Sequence, residues 1–365
     1  MEEKTTQKGK DSSWIFKPGK DDDIVLSCRA RLIRNLADFK FPQYLIPEEK
    51  ERIDSLVYDA LNETGKITGL KKEQLNERSF EILKMNGFIN DEDFSSIYIS
   101  EEDDSFSCLV NNRDHIRLSI FSEGKECENI IQKIYNIDSL LQKKLQFAAN
   151  VEFGYLTSNI KDCGSGLKIS FRLFIPAIIF SGHFEDVIAL VQNGKFCLRP
   201  VFKPVEGTPA AFYNCIFELY TSFSFSGTEF DQMADILGAV QNILNTERKI
   251  RAKFADNNST VVLNLFKQNY AKAMYSMLLT YEDAVNAVCA VKWGLSHKLI
   301  KGISDLSLNS LFHRTKDTYL KIMCEEQNIN FEADIEHSIA LKIQRLRAIL
   351  LQQSFEEIEN ENPVS

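Results

Sequence analysis

Five short runs with the composition of β-strands constrain the fold of this chain more than any other sequence feature. They lie at residues 96–100, 107–110, 115–120, 168–174 and 195–201. Helical stretches are interspersed with them, for example at residues 47–61 and 126–149. Strands and helices mixed in this irregular order predict an α+β fold with a largely antiparallel sheet flanked by helices.

The character of the sequence changes near residue 270, after which apolar residues recur at helical spacing with little strand signal. Ala284, Val285, Val288, Val291 and Leu295 show this spacing, and residues 341–351 predict a last amphipathic helix before an acidic tail. We therefore predict three parts: a flexible arm at residues 1–22, a main α+β domain at residues 23–255, and a helical C-terminal domain at residues 256–365.

Composition excludes several classes of function. The 365 residues carry a formal net charge of −9, whereas a general nucleic-acid binder needs a basic surface. The longest apolar stretch, residues 169–181, contains Arg172 and Pro176 and is too short for a membrane helix. The polar N-terminus lacks the apolar core of a signal peptide, and the eight cysteines show no spacing of a zinc site. We expect a cytoplasmic protein with no nucleic-acid partner, no membrane segment and no metal site built from its own side chains.

The first candidate site follows the strand-like segment at residues 24–26. Arg29 and Arg31 alternate along this extended chain and should point to the same face. Two guanidinium groups on one face suit an anion with several oxygens, such as a polyphosphate, because each group can bind two oxygens. A solvated strand edge with surface ion pairs would have the same spacing, so the pattern alone leaves both interpretations open.

Two further polar segments lie ahead of predicted strands. His115 and Arg117 alternate with Ile116 after a polar turn, where a histidine can equally serve a structural role. A loop at residues 154–168 contains Gly164 and Gly166, whose backbone amides could approach an anion; Lys168 would add a charge. An ordinary connecting loop remains the alternative for this second segment.

Taken together in this order, the segments resemble the ATP:guanidino phosphotransferase family, which includes creatine and arginine kinases. The resemblance is carried by VLSCRARLIRNLADF at 25–39, FGYLTS at 153–158 with GSGL at 164–167, FIPA at 174–177, WGL at 293–295 and LIKGI at 299–303. The short N-terminal arm and the C-terminal helices are similar to bacterial protein arginine kinases, which phosphorylate arginine side chains of other proteins and mark them for a Clp protease. The resemblance implies a guanidino-kinase core, ATP with Mg²⁺ as the cofactor, and protein substrates or a Clp-type protease system as partners.

The resemblance also implies specific site residues. The positions that hold the ATP phosphates are occupied here by Arg29, Arg31, His115, Arg117, Lys168 and Arg199. The family's glutamate pair, which holds the guanidinium and accepts its proton, is replaced by Asn112 and Arg113. In the substrate loop that contains Gly164 and Gly166, Asn159 stands where the family has a reactive cysteine, and a third glutamate aligns near Pro209.

Two functions follow from this pattern. An active kinase would need a substitute carboxylate, for which Glu206, Asp162 and Asp114 are the nearest candidates in sequence. The alternative is a pseudokinase, with or without bound nucleotide, that acts as a regulatory or scaffold partner in protein quality control. We also expect the amphipathic C-terminal helices to form a homodimer.

Overall fold

A computed structural model describes residues 13–90, 93–101, 104–191, 194–202, 211–225, 227–257, 260–327 and 329–360. Its central feature is one antiparallel sheet of eight strands in the order β2-β3-β4-β5-β1-β8-β10-β9. These strands are β1 Val25–Arg34, β2 Ile67–Lys71, β3 Ser96–Ser100, β4 Phe106–Val110, β5 Ile116–Ser122, β8 Leu167–Phe174, β9 Phe196–Pro200 and β10 Ile216–Thr221. Four two-residue strands form two small ribbons: β6 Ala149–Asn150 with β7 Gly154–Tyr155, and β11 Ile300–Lys301 with β12 Glu359–Asn360.

Strand β1 lies in the middle of the sheet, and its sequence alternates apolar and polar residues. Cys28, Ala30 and Leu32 are at most 1% exposed and form the core on one face. Arg29 and Arg31 project from the other face, since successive side chains of a strand point to opposite sides. One face of β1 therefore stabilises the fold, and the other is available for a polar site.

Eleven helices occur in the described residues. They are α1 Pro47–Leu61, α2 Glu77–Met85, α3 Cys127–Gln142, α4 Pro176–Phe180, α5 Phe184–Val191, α6 Glu229–Asn257, α7 Thr260–Tyr275, α8 Tyr281–Ser296, α9 Asp305–Arg314, α10 Asp317–Glu326 and α11 Ile339–Phe355. Helices α1, α3 and α6 cover the apolar face of the sheet and bury one continuous core with it. Within the described chain, no helix combines the length and apolar composition needed to cross a membrane.

The C-terminal helices pack on the sheet domain through an aromatic cluster. Trp293 of α8 is 2% exposed and contacts the rings of Phe180, Phe212 and Phe254, with centroid distances of 6.0, 6.0 and 5.8 Å. Burial of large aromatic rings stabilises such a junction strongly. The helical region is therefore joined to the main domain by a well-packed interface.

The predicted α+β class with an antiparallel sheet and C-terminal helices is confirmed. The prediction of a helix through residue 149 was wrong, because α3 ends at Gln142. Residues 146–148 instead bond to the segment after β1, with Gln146 O accepting from Ala37 N and Ala148 N donating to Asn35 O.

Within the predicted arm, Trp14 is packed, with its ring 5.5 Å from that of Phe121. The division into three parts stays a prediction.

Glu123 follows β5 and gives a testable pH effect. It is 3% exposed, its Oε2 has no hydrogen-bond partner among the described residues, and burial raises its pKa well above the ordinary 4.5. The folded state thus binds more protons than the unfolded state above pH 4.5, and stability falls as pH rises towards the folded pKa. Glu123→Gln is expected to raise the free energy of unfolding by about 1 kcal/mol at pH 7.5. Thermal unfolding at pH 4.5 and 7.5 checks this, because an equal difference from wild type at both pH values would contradict it.

Candidate functional site: a cationic cage on the polar face of the sheet

The register of the strands gathers cationic side chains on the polar face of the sheet. Arg29 and Arg31 lie on this face of β1, and Arg31 pairs directly with Lys168 of β8. On the other side of β1, Arg117 of β5 pairs with Ile33, two residues beyond Arg31 on the same face. Because directly paired residues of antiparallel strands project to the same side, these four cations share one surface.

The remaining strands add two arginines and one carboxylate. Glu218 of β10 pairs with Arg172 of β8 and with Arg199 of β9. We call the whole set of cations the cationic cage; it consists of Arg29, Arg31, Arg117, Lys168, Arg172 and Arg199. Arg172 was not predicted as a site residue, although its alternation with Lys168 along β8 is visible in the sequence.

Glu218 is the internal counter-ion of the cage. Its carboxylate accepts hydrogen bonds from Arg29 Nη2 at 3.3 Å and from Arg199 Nε at 2.9 Å. Burial would raise the pKa of Glu218, but the charges of Arg29 and Arg199 outweigh burial and hold that pKa below its ordinary value. One carboxylate thus partly neutralises two guanidinium groups, and sequence reasoning missed it.

Arg29 and Arg31 are cations with unused hydrogen-bonding capacity. Arg29 Nε is buried without a hydrogen-bond partner, and Arg31 makes no hydrogen bond or ion pair with the described residues. Burial, followed for Arg29 by the charge of Arg31, lowers the pKa of both groups. Arginine nevertheless stays protonated in proteins, so the shift reflects mainly the cost of holding these cations away from water. A bound polyanion would relieve that charge and fill the empty donor positions.

A cleft of about 550 Å³ opens over part of the cage. Its floor includes Arg29 and Glu218, and its walls come from Lys84 at the end of α2 and Lys316 before α10. Lys316 Nζ donates to Met85 O at 2.9 Å. Burial, and then the charge of Arg172, lower the pKa of Lys316 to about 8. The helical C-terminal region therefore supplies a cation to the cleft, which the sequence did not reveal.

His115 is not brought into the cage. Its Nδ1 accepts from Leu36 N at 3.0 Å, and its Nε2 lies 2.8 Å from Lys40 O, to which it must donate. Burial lowers the pKa of His115, which favours this neutral form. Both ring nitrogens are committed to backbone groups, so His115 fixes the segment after β1 rather than contacting phosphate.

The two glycines of the 154–168 loop also serve packing. A side chain at Gly164 would lie 2.4 Å from Ser224 O, and one at Gly166 would lie 2.6 Å from Ile33 O. Both have positive φ, at +103° and +68°. The amide of Gly164 already donates to Tyr155 O. Both glycines therefore permit close contact between backbone segments, and the predicted anion cradle stays a prediction.

The turn ahead of β5 holds no carboxylate that is free for chemistry. The Asn112 side chain donates to Asp93 O and accepts from Arg117 Nη1 at 3.4 Å, whereas the Arg113 side chain is exposed. Asp114 accepts from Asn35 Nδ2 at 2.6 Å and from a backbone amide, which makes it structural.

The other two candidates for a substitute catalytic carboxylate, Asp162 and Glu206, differ in position. Asp162 forms an ion pair with Lys168 at 2.6 Å and so reaches the cage. Asn159 caps the short turn before Asp162, accepting from Lys161 N at 3.2 Å. Glu206 and Pro209 lie outside the described residues.

Comparison with known proteins gives the class of this fold and site. A family model described as ATP:guanido phosphotransferase, C-terminal catalytic domain, matches residues 48–250. This match spans more than half of the chain, which therefore belongs to that family.

The similar curated proteins are more specific. Protein-arginine kinase of Shouchella clausii (strain KSM-K16) is 26% identical over 319 residues, covering 85% of this chain and 88% of the relative. Protein-arginine kinase of Bacillus cereus (strain G9842) is 26% identical over 318 residues, with 85% and 89% coverage.

Solved structures show the same fold. Lombricine kinase aligns with a TM-score of 0.55 at 17% identity over 64% of this chain and 69% of its own. The substrate-free duplicated taurocyamine kinase from Schistosoma mansoni aligns with a TM-score of 0.54 at 20% identity, covering 64% of this chain and 35% of that chain.

Proposed function

We propose that this chain is a protein-arginine-kinase-like protein that binds Mg-ATP in the cationic cage and does not transfer the γ-phosphoryl group to arginine. The observation that carries the first part is the pair Arg29 and Arg31, two half-buried cations on one face with donor groups that no described residue uses. A guanidinium can bind two oxygens of a phosphate at once, so this arrangement suits a polyphosphate.

The size of the cleft agrees with a nucleotide. Ligand sites of small molecules commonly enclose about 300–1,000 Å³, and the cleft over the cage measures about 550 Å³. Mg²⁺ would enter with the nucleotide and neutralise part of the phosphate charge. Within the described residues, no group of three acidic, histidine or cysteine side chains could hold a metal by itself. The protein's part is to position the phosphates with Arg29, Arg31 and their neighbours.

The second part of the proposal depends on the missing base. A guanidinium group has a pKa above 12, so its attack on phosphorus needs a carboxylate that orients it and accepts its proton. Asn112 cannot take that proton, and the cation of Arg113 would repel the substrate. General acid–base catalysis by one positioned side chain typically contributes about 10²–10⁴-fold in rate.

A second candidate function is an active kinase with a relocated base. Asp162 favours it, because this carboxylate lies at the edge of the cage in an ion pair with Lys168. Glu218 is less suited, since Arg29 and Arg199 hold it as a counter-ion. A protein substrate and a Clp-type protease partner rest on the family resemblance, a homodimer rests on the amphipathic C-terminal helices, and a cytoplasmic location rests on the composition and the polar N-terminus; all of these stay predictions.

Calorimetric titration with Mg-ATP, combined with a phosphoarginine assay by mass spectrometry on casein as a generic protein substrate, tests the proposal. We expect binding without transfer. Transfer by the unmodified protein would contradict the missing-base argument, and Asp162→Asn would then test the relocated base. Absence of binding would contradict the nucleotide site. In the double variant Asn112→Glu/Arg113→Glu, any gain of arginine phosphorylation would identify this turn as the defective part.

Glu218→Gln is expected to tighten Mg-ATP binding about tenfold, because it removes an anion that competes with phosphate for two guanidinium groups. The amide keeps the size of the side chain and one acceptor oxygen, so the strand pairing of β10 should persist. Calorimetry on the variant measures the effect. Glu81→Gln, on α2 at the cleft wall, is the matched control, since Glu81 pairs with Lys321 rather than with the cage. Weaker binding by Glu218→Gln would show that this carboxylate assists the nucleotide.

A further inference from the structure

Three basic side chains from three segments meet at the inner end of the cleft over the cage. They are Arg172 of β8, His313 of α9 and Lys316, which directly precedes α10. All three line both the cleft and an adjoining chamber of about 190 Å³. We call them the inner basic cluster; Arg172 belongs to the cage as well. Two members come from the helical C-terminal region, so the cluster depends on the packing of that region against the sheet.

No carboxylate is bonded to the inner basic cluster. Within the described residues, none of its three side chains forms an ion pair. The Lys316 ammonium uses one donor on Met85 O, and Arg172 has no hydrogen-bond partner in the described part of the chain. The carboxylate of the adjacent Asp317 is bonded to Arg347 instead. The cluster therefore offers donors and positive charge that the described protein groups leave unused.

Positive charge accumulates in this cluster. Burial, and then the charges of Lys316 and Arg172, hold the pKa of the His313 ring well below its ordinary value. Two carboxylates, Glu218 and Glu123, face Arg172 without neutralising it. Glu218 is already bonded within the cage, and burial raises the pKa of Glu123, which favours its uncharged form. A bound anion would offset the remaining positive charge.

The cluster is spatially separate from the outer cations of the cage. Lys168 of β8 is paired with Arg31, and Arg172 lies four residues further along the same strand. At about 3.3 Å per residue, these two positions of β8 are about 13 Å apart. The residue midway between them, Ser170, is uncharged, and neither Arg31 nor Lys168 lines the chamber. A ligand that satisfies both ends of the site therefore carries two separated anionic groups.

We propose that the inner basic cluster binds a phosphoryl group on the ribose of the nucleotide, so that the cleft prefers a nucleotide phosphorylated on both its 5′ oxygen and its 2′ or 3′ oxygen. Such a nucleotide carries anionic groups on two sides of a sugar ring, in agreement with two groups of cations separated along a strand. Arg172 can bind two phosphate oxygens at once, and Lys316 can act as a point charge. The inference rests on the proposed function for the nucleotide and deepens it by naming the ligand class.

A matched pair of nucleotides tests the cluster in the unmodified protein. Adenosine 3′,5′-bisphosphate and AMP differ by one phosphoryl group, and calorimetric titration gives a Kd for each. We expect the bisphosphate to bind at least about tenfold more tightly, because one further charge-assisted contact typically contributes that much. Adenosine 2′,5′-bisphosphate, measured alongside, covers the other position on the ribose. If AMP binds as tightly as both bisphosphates, the proposal is wrong.

Variants of the cluster locate the additional phosphoryl group. In Arg172→Gln and, separately, in Lys316→Gln, the ratio of the AMP Kd to the bisphosphate Kd is expected to fall towards one. The ratio is informative because a general disturbance of the cleft would weaken the binding of both nucleotides together. Lys267→Gln is the matched control, since it removes an exposed lysine of α7 that lines neither the cleft nor the chamber. A wild-type ratio in both cluster variants would overturn the proposal.

Inorganic phosphate separates the other source of the same chemistry. If phosphate alone binds more tightly than either bisphosphate, and Lys316→Gln abolishes that binding, free phosphate is the ligand of the cluster and the proposal is wrong. Binding of Mg-ATP without any preference for a bisphosphate would contradict this inference alone. Binding of a bisphosphate without binding of Mg-ATP would contradict the proposed function alone, so the two hypotheses can fail separately.

Discussion

Replacing Arg29 by alanine is expected to weaken Mg-ATP binding about 100-fold, because a charge-assisted contact of a buried guanidinium with phosphate contributes about 2–3 kcal/mol. The side chain of Arg29 is only 16% exposed, and its Nε has no hydrogen-bond partner among the described residues. Calorimetric titration of the variant with Mg-ATP measures the loss.

The matched control for Arg29→Ala is Arg78→Ala, which removes a 42% exposed arginine from surface ion pairs with Glu325 and Glu326. Such surface pairs contribute little, so this control should bind Mg-ATP like the wild type. Equal affinity of Arg29→Ala and Arg78→Ala would place the nucleotide outside the cationic cage. Circular dichroism of both variants checks that the sheet is intact.

Replacing Glu247 by alanine is expected to lower the free energy of unfolding by about 3–5 kcal/mol, the usual loss when one partner of a buried ion pair is removed. Glu247 of α6 is fully buried and accepts from Ala177 N at 3.0 Å, Ile178 N at 2.9 Å and Arg251 Nε at 2.8 Å. The substitution leaves the first amides of α4 and Arg251 Nε without their acceptor, although Arg251 Nη1 keeps its bond to Asp23 at 3.2 Å. Denaturant-induced unfolding followed by circular dichroism measures the change.

Glu247→Gln supplies the comparison for this stability effect. Glutamine keeps one carbonyl acceptor but lacks the charge. Glu247→Gln should therefore lower the free energy of unfolding by less than Glu247→Ala does. Lys249→Ala, an exposed change two residues along the same helix, should stay within about 0.5 kcal/mol of wild type. Similar stability of Glu247→Ala and Lys249→Ala would show that Glu247 does not hold α4.

The alternation in β1 explains why part of the site was predictable. A strand has a fixed period of two, so the sequence places Arg29 and Arg31 together without any knowledge of neighbouring strands. Which other cations join them depends on strand order and register, and these are set by long-range pairing. Strand pairing places Arg172 and Glu218 at the site. Packing of the C-terminal helices places Lys316 there. No local pattern carries that information.

Three predicted site residues show the opposite limit, because their types fit more than one role. His115, Gly164 and Gly166 have the right types for phosphate binding, but the same types also satisfy buried backbone groups and permit close approach of two chain segments. Only the partners of each group distinguish these roles. For His115 they are Leu36 N and Lys40 O, and for Gly166 the neighbour is Ile33 O. The FIPA segment, in contrast, was recognised locally, while its anchor Glu247 was not.

The residues of the cationic cage belong to paired strands. The positions at which this chain departs from the family's motifs lie on turns; they are Asn112, Arg113 and Asn159. A turn can accept new side chains without disturbing the hydrogen bonds of the sheet. The proposed separation of nucleotide binding from phosphoryl transfer therefore requires changes only on turns, and the paired strands that carry the cationic cage can stay as they are.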